Sequence, residues 1–167
     1  MNLLLSEAIR AQFHYESPEA QEAIDDAKQL FETINHWLLQ FKGRLEDGET
    51  LGECLEISPA QLAHRAELAR ELLAKNSLQA ALIISLYGTV VAPDDLRFGF
   101  VAGSCLLKLG DPSTASQMLA AVIQLNPNHI AATFRLGQCH AALGDNVEAG
   151  RLYAYTVDLC RESGEYR

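Results

Sequence analysis

From residue 62 onward, small and apolar positions recur every 34 residues. Leu96 to Ala115 reads LRFGFVAGSCLLKLGDPSTA, and Ile130 to Ala149 reads IAATFRLGQCHAALGDNVEA. Counting units from Leu62, Leu96 and Ile130, position 7 holds Leu68, Ala102 and Leu136, and position 8 holds Ala69, Gly103 and Gly137. Position 20 holds Ala81, Ala115 and Ala149, and position 15 holds Asn76, Gly110 and Gly144. Small residues at positions 8 and 20 let two antiparallel helices approach closely. Asn or Gly at position 15 supplies the left-handed backbone that ends the first of them. Pro59, Pro93 and Pro127 also lie 34 apart, and Arg161 stands where the next would fall. Proline at that point stops the second helix, because it cannot continue the hydrogen-bond ladder. The pattern predicts helices at 60–75 and 78–91, 95–109 and 112–125, and 129–143 and 146–161. Upstream, Ser17-Pro18 opens a helix, with Ser as N-cap, Pro at the first helical position, and Glu19 and Glu22 in the first turns. Ala20, Ala23, Ile24, Ala27, Leu30, Phe31, Ile34, Leu38 and Phe41 follow at helical spacing. That predicts one long amphipathic helix over 17–42, ending near Lys42-Gly43, then a polar turn at 44–50 and a helical turn within 51–57.

A period of 34 with these small, turn and proline positions is the tetratricopeptide pattern. The expected fold is all-α, a tetratricopeptide-repeat superhelix of three helix pairs preceded by an N-terminal amphipathic helical segment. Residues 1–58 form that segment, for dimerisation or as a cap, 59–161 the repeats (62–95, 96–129 and 130–161), and 162–167 a tail. A single helix pair cannot bury its apolar side. Stacking supplies the core, and the curvature of the stack leaves the first helices lining a concave groove.

Charge narrows the function. The 167 residues carry a formal net charge of −9 and are 49% hydrophobic. That argues against nucleic acid as a partner, which needs a basic face, and fits a protein that solubilises a basic or apolar partner. The apolar run in MNLLLSEAIR is too short for a secretory signal, and no stretch is long and apolar enough for membrane insertion. Cys54, Cys105, Cys139 and Cys160 form no CxxC pair and read as small buried thiols in a reducing compartment. His14, His36, His64, His129 and His140 show no metal-ligand spacing, and no GxSxG or GxxxxGK[ST] occurs. Asp25-Asp26 reads as a solvated face, and Asp94-Asp95 as the cap of the following helix. No catalysis, metal or cofactor is expected.

Further motifs sharpen the picture. Gly48-Glu49-Thr50-Leu51 leads to Leu55-Glu56-Ile57-Ser58. Arg97-Phe98, Gly103-Ser104-Cys105 and Gly110 follow in the second unit, and Phe134, Cys139, Gly144 and Ala149 in the third. Over residues 47–160 the chain resembles the SycD-like type III secretion chaperones, which hold translocator proteins. Ala66, Arg70 and Leu73 stand where that family usually carries aromatic residues. The resemblance implies a non-enzymatic cytoplasmic chaperone. It would bind a secreted translocator or other type III secretion substrate by a peptide segment in the groove, and form a homodimer when free. In tetratricopeptide stacks, positions 2, 5, 9, 12 and 13 of each first helix face the groove. The expected cargo-binding residues are therefore Ala66, Arg70, Leu73, Arg97, Phe100, Ser104, Leu107, Lys108, Phe134, Gln138 and Ala141. Apolar side chains of an extended peptide would lodge between the phenylalanines, Ser104 and Gln138 would bond its backbone, and the cations would meet its carboxylates. Leu30, Phe31, Ile34, Trp37, Leu38 and Phe41 are the expected dimerisation residues. Two other readings stay open: a tetratricopeptide adaptor or secretion regulator without a secreted client, and the non-catalytic arm of an enzyme assembly.

Overall fold

The computed structural model describes Gln29 and residues 32–163, and every regular element among them is helical. The chain divides into two compact units, Met1–Cys54 and Leu55–Arg167. In the first, residues 32–40 are helical (α1). Leu30, Phe31 and most of the expected 17–42 helix lie outside the described residues. α1 ends at residue 40, within two residues of the expected stop, and Phe41 breaks it at φ −102°, ψ 14°. A separate short α2 then runs over Lys42–Glu46, into the segment expected to be a turn, with Leu45 N–H donating to Phe41 C=O at 3.0 Å. Its stop comes at Gly48, which takes the left-handed φ of 95° that Gly43 does not adopt. Arg44 then ties the turn together: its guanidinium pairs with the Glu49 carboxylate and donates to Cys54 C=O at 3.2 Å. α3 covers only Leu51–Cys54 of the expected 51–57 turn. It starts on a reciprocal cap in which Glu53 N–H donates to Thr50 Oγ1 at 3.2 Å and Thr50 N–H to Glu53 Oε2 at 2.7 Å.

Among its described residues the second unit contains six helices: α4 (Pro59–Ala74), α5 (Leu78–Val91), α6 (Leu96–Lys108), α7 (Pro112–Leu125), α8 (Ile130–Ala142) and α9 (Asn146–Ser163). These match the sequence expectation to within two residues at each end. Pro59 opens α4 at its first position behind Ser58, whose Oγ accepts from Gln61 N–H, while Pro93 and Pro127 follow the ends of α5 and α7. The turns inside the three pairs are copies of one another. Asn76, Gly110 and Gly144 sit at φ 60°, 88° and 84°. The next residue in each (Ser77, Asp111, Asp145) donates its N–H five residues back, to the carbonyls of Leu72, Leu106 and His140, each at 2.9 Å. This is the Schellman arrangement that satisfies the last carbonyls of a helix.

Each pair packs internally, each second helix meets the next first helix, and α4, α6 and α8 touch in sequence. Two apolar clusters result. Ala69, Ala81, Val101 and Cys105 join the first pair to the second. Ala115, Leu119, Val122, Ala132 and Cys139 join the second to the third. Close approach at the first joint depends on Gly88, where an added methyl would fall 2.1 Å from Cδ1 of the fully buried Phe98.

Candidate functional site

The face formed by α4, α6 and α8 is held in place by caps written into the sequence. Asp95 accepts from Arg97 N–H at 3.2 Å and starts α6, as expected of that acidic pair. α8 starts on a less common cap: His129 Nδ1 accepts from Ala132 N–H at 3.1 Å. The His129 ring also lies 5.1 Å from that of Phe100. A histidine with one nitrogen spent on a helix cap and its face on a phenylalanine has a structural role, and among the described residues no His, Cys, Asp and Glu cluster could hold a metal ion.

The structure sorts the eleven expected groove residues into three sets. Ala66 and Ser104 are buried and give the groove no accessible surface. The Ser104 hydroxyl has no hydrogen-bond partner among the described residues. Leu73, Phe100 and Leu107 are half-buried and pack on the two clusters, with Phe100 touching both. Arg70, Arg97, Lys108, Phe134 and Ala141 are exposed, and Gln138 is half-buried. Phe134 leaves 44% of its surface open and leans on Tyr153 with ring centroids 5.6 Å apart.

The polar members have partners of their own. Arg70 Nε donates to Glu67 Oε2 at 2.9 Å, and Arg97 Nε to Asp95 Oδ1 at 2.8 Å. The hydrogen bonds from these two guanidiniums hold the Glu67 and Asp95 carboxyls below the usual carboxylate range. Gln138 Oε1 accepts from Arg135 Nη1 at 3.1 Å. Lys108 makes no ion pair with a described residue, so a ligand carboxylate meets it without displacing another, unlike Arg70 and Arg97.

Two of the thiols, Cys105 and Cys139, are poor nucleophiles. Burial pushes Cys105 up to about 11 and raises Cys139 as well, so both stay protonated at neutral pH. Two features escaped the sequence reading. One is the His129 cap with its contact to Phe100. The other is a groove of about 620 Å³ lined by Phe134, Tyr153, Thr156, Val157, Cys160 and Arg161. The 34-residue register held the signal for the second: Tyr153, Thr156 and Val157 lie one period after Leu119, Val122 and Ile123.

A tetratricopeptide-repeat family model matches residues 106–154. No curated protein matches by sequence. Among solved structures, the type III secretion translocator chaperone SycD of Yersinia enterocolitica matches with a TM-score of 0.62 at 20% identity, over 68% of this chain and 84% of that one. The chain has a SycD-like tetratricopeptide fold. SycD in an alternative dimer matches at the same TM-score and identity, over 66% of this chain and 84% of that one. A chain in the crystal structure of a type III secretion complex from Aeromonas hydrophila matches at TM-score 0.68 and 20% identity, over 74% of this chain and 82% of that one. At this identity the shared property is the fold.

Proposed function

We propose that the protein is a cytoplasmic, non-enzymatic chaperone of a bacterial type III secretion system. It holds an extended apolar segment of a secreted translocator subunit in the concave groove and keeps that subunit from self-associating until export. The observation that carries this reading is the SycD-like fold, which spans 84% of a named translocator chaperone. An open phenylalanine and an exposed lysine with no ion pair among the described residues support it. Apolar surface on Phe134, Leu73 and Leu107 receives client side chains, and Lys108 receives a client carboxylate. Masking a segment in this way removes the exposed apolar patch that drives aggregation.

Co-expression with candidate secreted subunits tests the proposal. Phe134→Ala with Lys108→Glu alters exposed positions and spares the core, whereas replacing Phe100 or Leu107 would open it. The expected result is one secreted protein co-purifying in stoichiometric amount with the wild-type chain and lost from the double variant, with the helical circular dichroism of both unchanged. Co-purification of cytosolic partners alone would overturn the reading in favour of an adaptor. In the free state the chain is proposed to pair with a second copy through α1 and the Phe41 that follows it, using Ile34, Trp37 and Leu38 of the helix. Support comes from Leu38 and its neighbour Leu39, which leave 41% and 77% of their surfaces open.

A further inference from the structure

The stack contains two internal examples of one helix seat. On the first pair α6 fills it, and Phe98 of α6 lies fully buried against Gly88 of α5. On the second pair α8 fills it, and Ala132 of α8 lies fully buried in the same cluster as Leu119 and Val122 of α7. Moving these α7 positions on by 34 residues leads to Tyr153 and Thr156 of α9, with Val157 beside them. Together with Phe134, Cys160 and Arg161 they line the groove of about 620 Å³. It is the same seat on the third pair, with no further helix on it among the described residues: Val157 exposes 48% of its surface, while its counterpart Ile123 is half-buried against the core, and Thr156 at the floor keeps 8%.

The chain does not turn back to fill this seat at the place where it does so before. In the first two pairs the helix stops at Val91 and Leu125, ahead of Pro93 and Pro127, and the next helix follows after four intervening residues. In the third, Arg161 replaces the proline and α9 continues for 18 residues to Ser163, against 14 for α5 and α7. The run-on turn of helix puts Cys160 and Arg161 into the wall of the seat.

We infer that this seat docks an amphipathic helix from a partner protein, entering where a further first helix of the stack would lie. The argument is continuity: two faces of this kind in the same molecule already take a helix of 13 residues each. The residue at the crossing point sets the specificity. Gly88 admits a phenylalanine, and Val122 admits an alanine. Thr156, β-branched like valine, spends its hydroxyl on Leu152 C=O at 2.7 Å and lines the floor of the groove with little surface to spare. The partner helix therefore carries Ala or Gly where it crosses Thr156, with larger aliphatic residues one turn to either side to meet Phe134, Tyr153 and Val157. Arg161 sits at the C-terminal end of α9, where an antiparallel partner begins. Arg161 Nη1 already lies 3.4 Å from Asp158 Oδ1 in an exposed pair; a carboxylate in the first turn of the partner helix joins it there and suits the helix dipole, as Asp95 does at the start of α6.

The probe is a fluorescein-labelled synthetic peptide with the α8 sequence from His129 to Leu143. His129→Asp supplies the acidic cap, and Cys139→Ser prevents oxidation. Titrating it with the full chain and reading anisotropy is expected to give saturable binding. Val157→Glu or Arg161→Glu in the protein, or Ala132→Phe in the peptide, is expected to weaken binding at least tenfold. Both protein positions are exposed, and an unchanged circular dichroism melt separates a lost seat from a lost fold. Absence of binding, or binding indifferent to Val157→Glu, overturns the inference. Light scattering on the intact chain supplies the other decisive outcome. If Val157→Glu lowers the molecular mass of the unliganded protein, the occupant is a second copy and the assignment to a different partner falls. None of these substitutions changes Lys108 or Phe134, so failure here leaves the client test of the concave groove standing.

Discussion

Gly88→Ala is expected to destabilise the protein although it replaces glycine by the best helix former. In a helix interior, glycine to alanine alone gains about 1 kcal/mol. At Gly88 the new methyl would lie 2.1 Å from Cδ1, 2.2 Å from Cγ and 2.5 Å from Cε1 of Phe98. Phe98 is fully buried, and the near atoms belong to a rigid ring, so relief requires α5 and α6 to move apart. Overpacking of this kind costs typically 1–3 kcal/mol and sometimes more. Because the overlap reaches three ring atoms, the upper part of that range applies, and a net loss of about 1–2 kcal/mol remains after the propensity gain. Gly150→Ala is the matched control. Gly150 lies inside α9 with open space where the methyl would go, so the propensity gain appears undiminished and the protein gains about 0.5–1 kcal/mol. Urea unfolding followed by circular dichroism at the helical band reads both changes as shifts in midpoint at constant slope. Adding Phe98→Ala removes the ring: it costs about 3–5 kcal/mol alone, but in that background Gly88→Ala turns stabilising. A Gly88→Ala protein as stable as the wild type, or an unchanged sign in the Phe98→Ala background, would refute the account of the joint between the first two pairs.

Three further outcomes follow from the same geometry. In native protein at pH 8, a thiol reagent is expected to modify the partly exposed Cys160 fast and Cys105 and Cys139 slowly, since burial raises both buried thiols; equal rates at all three would contradict their placement. Asp95 and Asp145 are held below the usual carboxylate range, the first chiefly by the Arg97 side chain and the second chiefly by the Glu148 N–H. A depressed carboxylate stabilises the fold above its unfolded value of about 4, and that contribution disappears as pH falls through the lower folded value. Asp95→Asn with Asp145→Asn should therefore flatten the loss of stability below about pH 4, and an unchanged acid limb in thermal melts would count against these caps. Leu38→Glu is expected to convert a dimeric free chain to monomer in light scattering, with the repeat helices intact; a dimer that survives the change would move the interface away from α1.

The repeat unit was legible in the sequence because its signals are local. A left-handed residue at 76, 110 and 144, small residues at 8 and 20, and prolines at 93 and 127 each act within a few residues of themselves, and the helices of the second unit end where those residues say. The short helix at Lys42–Glu46 was missed because two glycines, Gly43 and Gly48, offered a turn, and only backbone geometry shows which one takes the left-handed φ. Side-chain exposure on the groove face was the least legible. Position 9 of the three first helices carries Arg70, Ser104 and Gln138. The same register places one of them exposed, one fully buried and one half-buried, since burial depends on what lies across from a residue and not on its place in its own helix. Phe100 and Phe134 are likewise one period apart, yet the first meets both core clusters and the second stays open, because a following first helix lies beyond Phe100 and none among the described residues lies beyond Phe134. Periodicity therefore determined the helices, their turns and their order, all of which depend on neighbours along the chain. Tertiary structure decided which surfaces remain available, because that depends on neighbours in space.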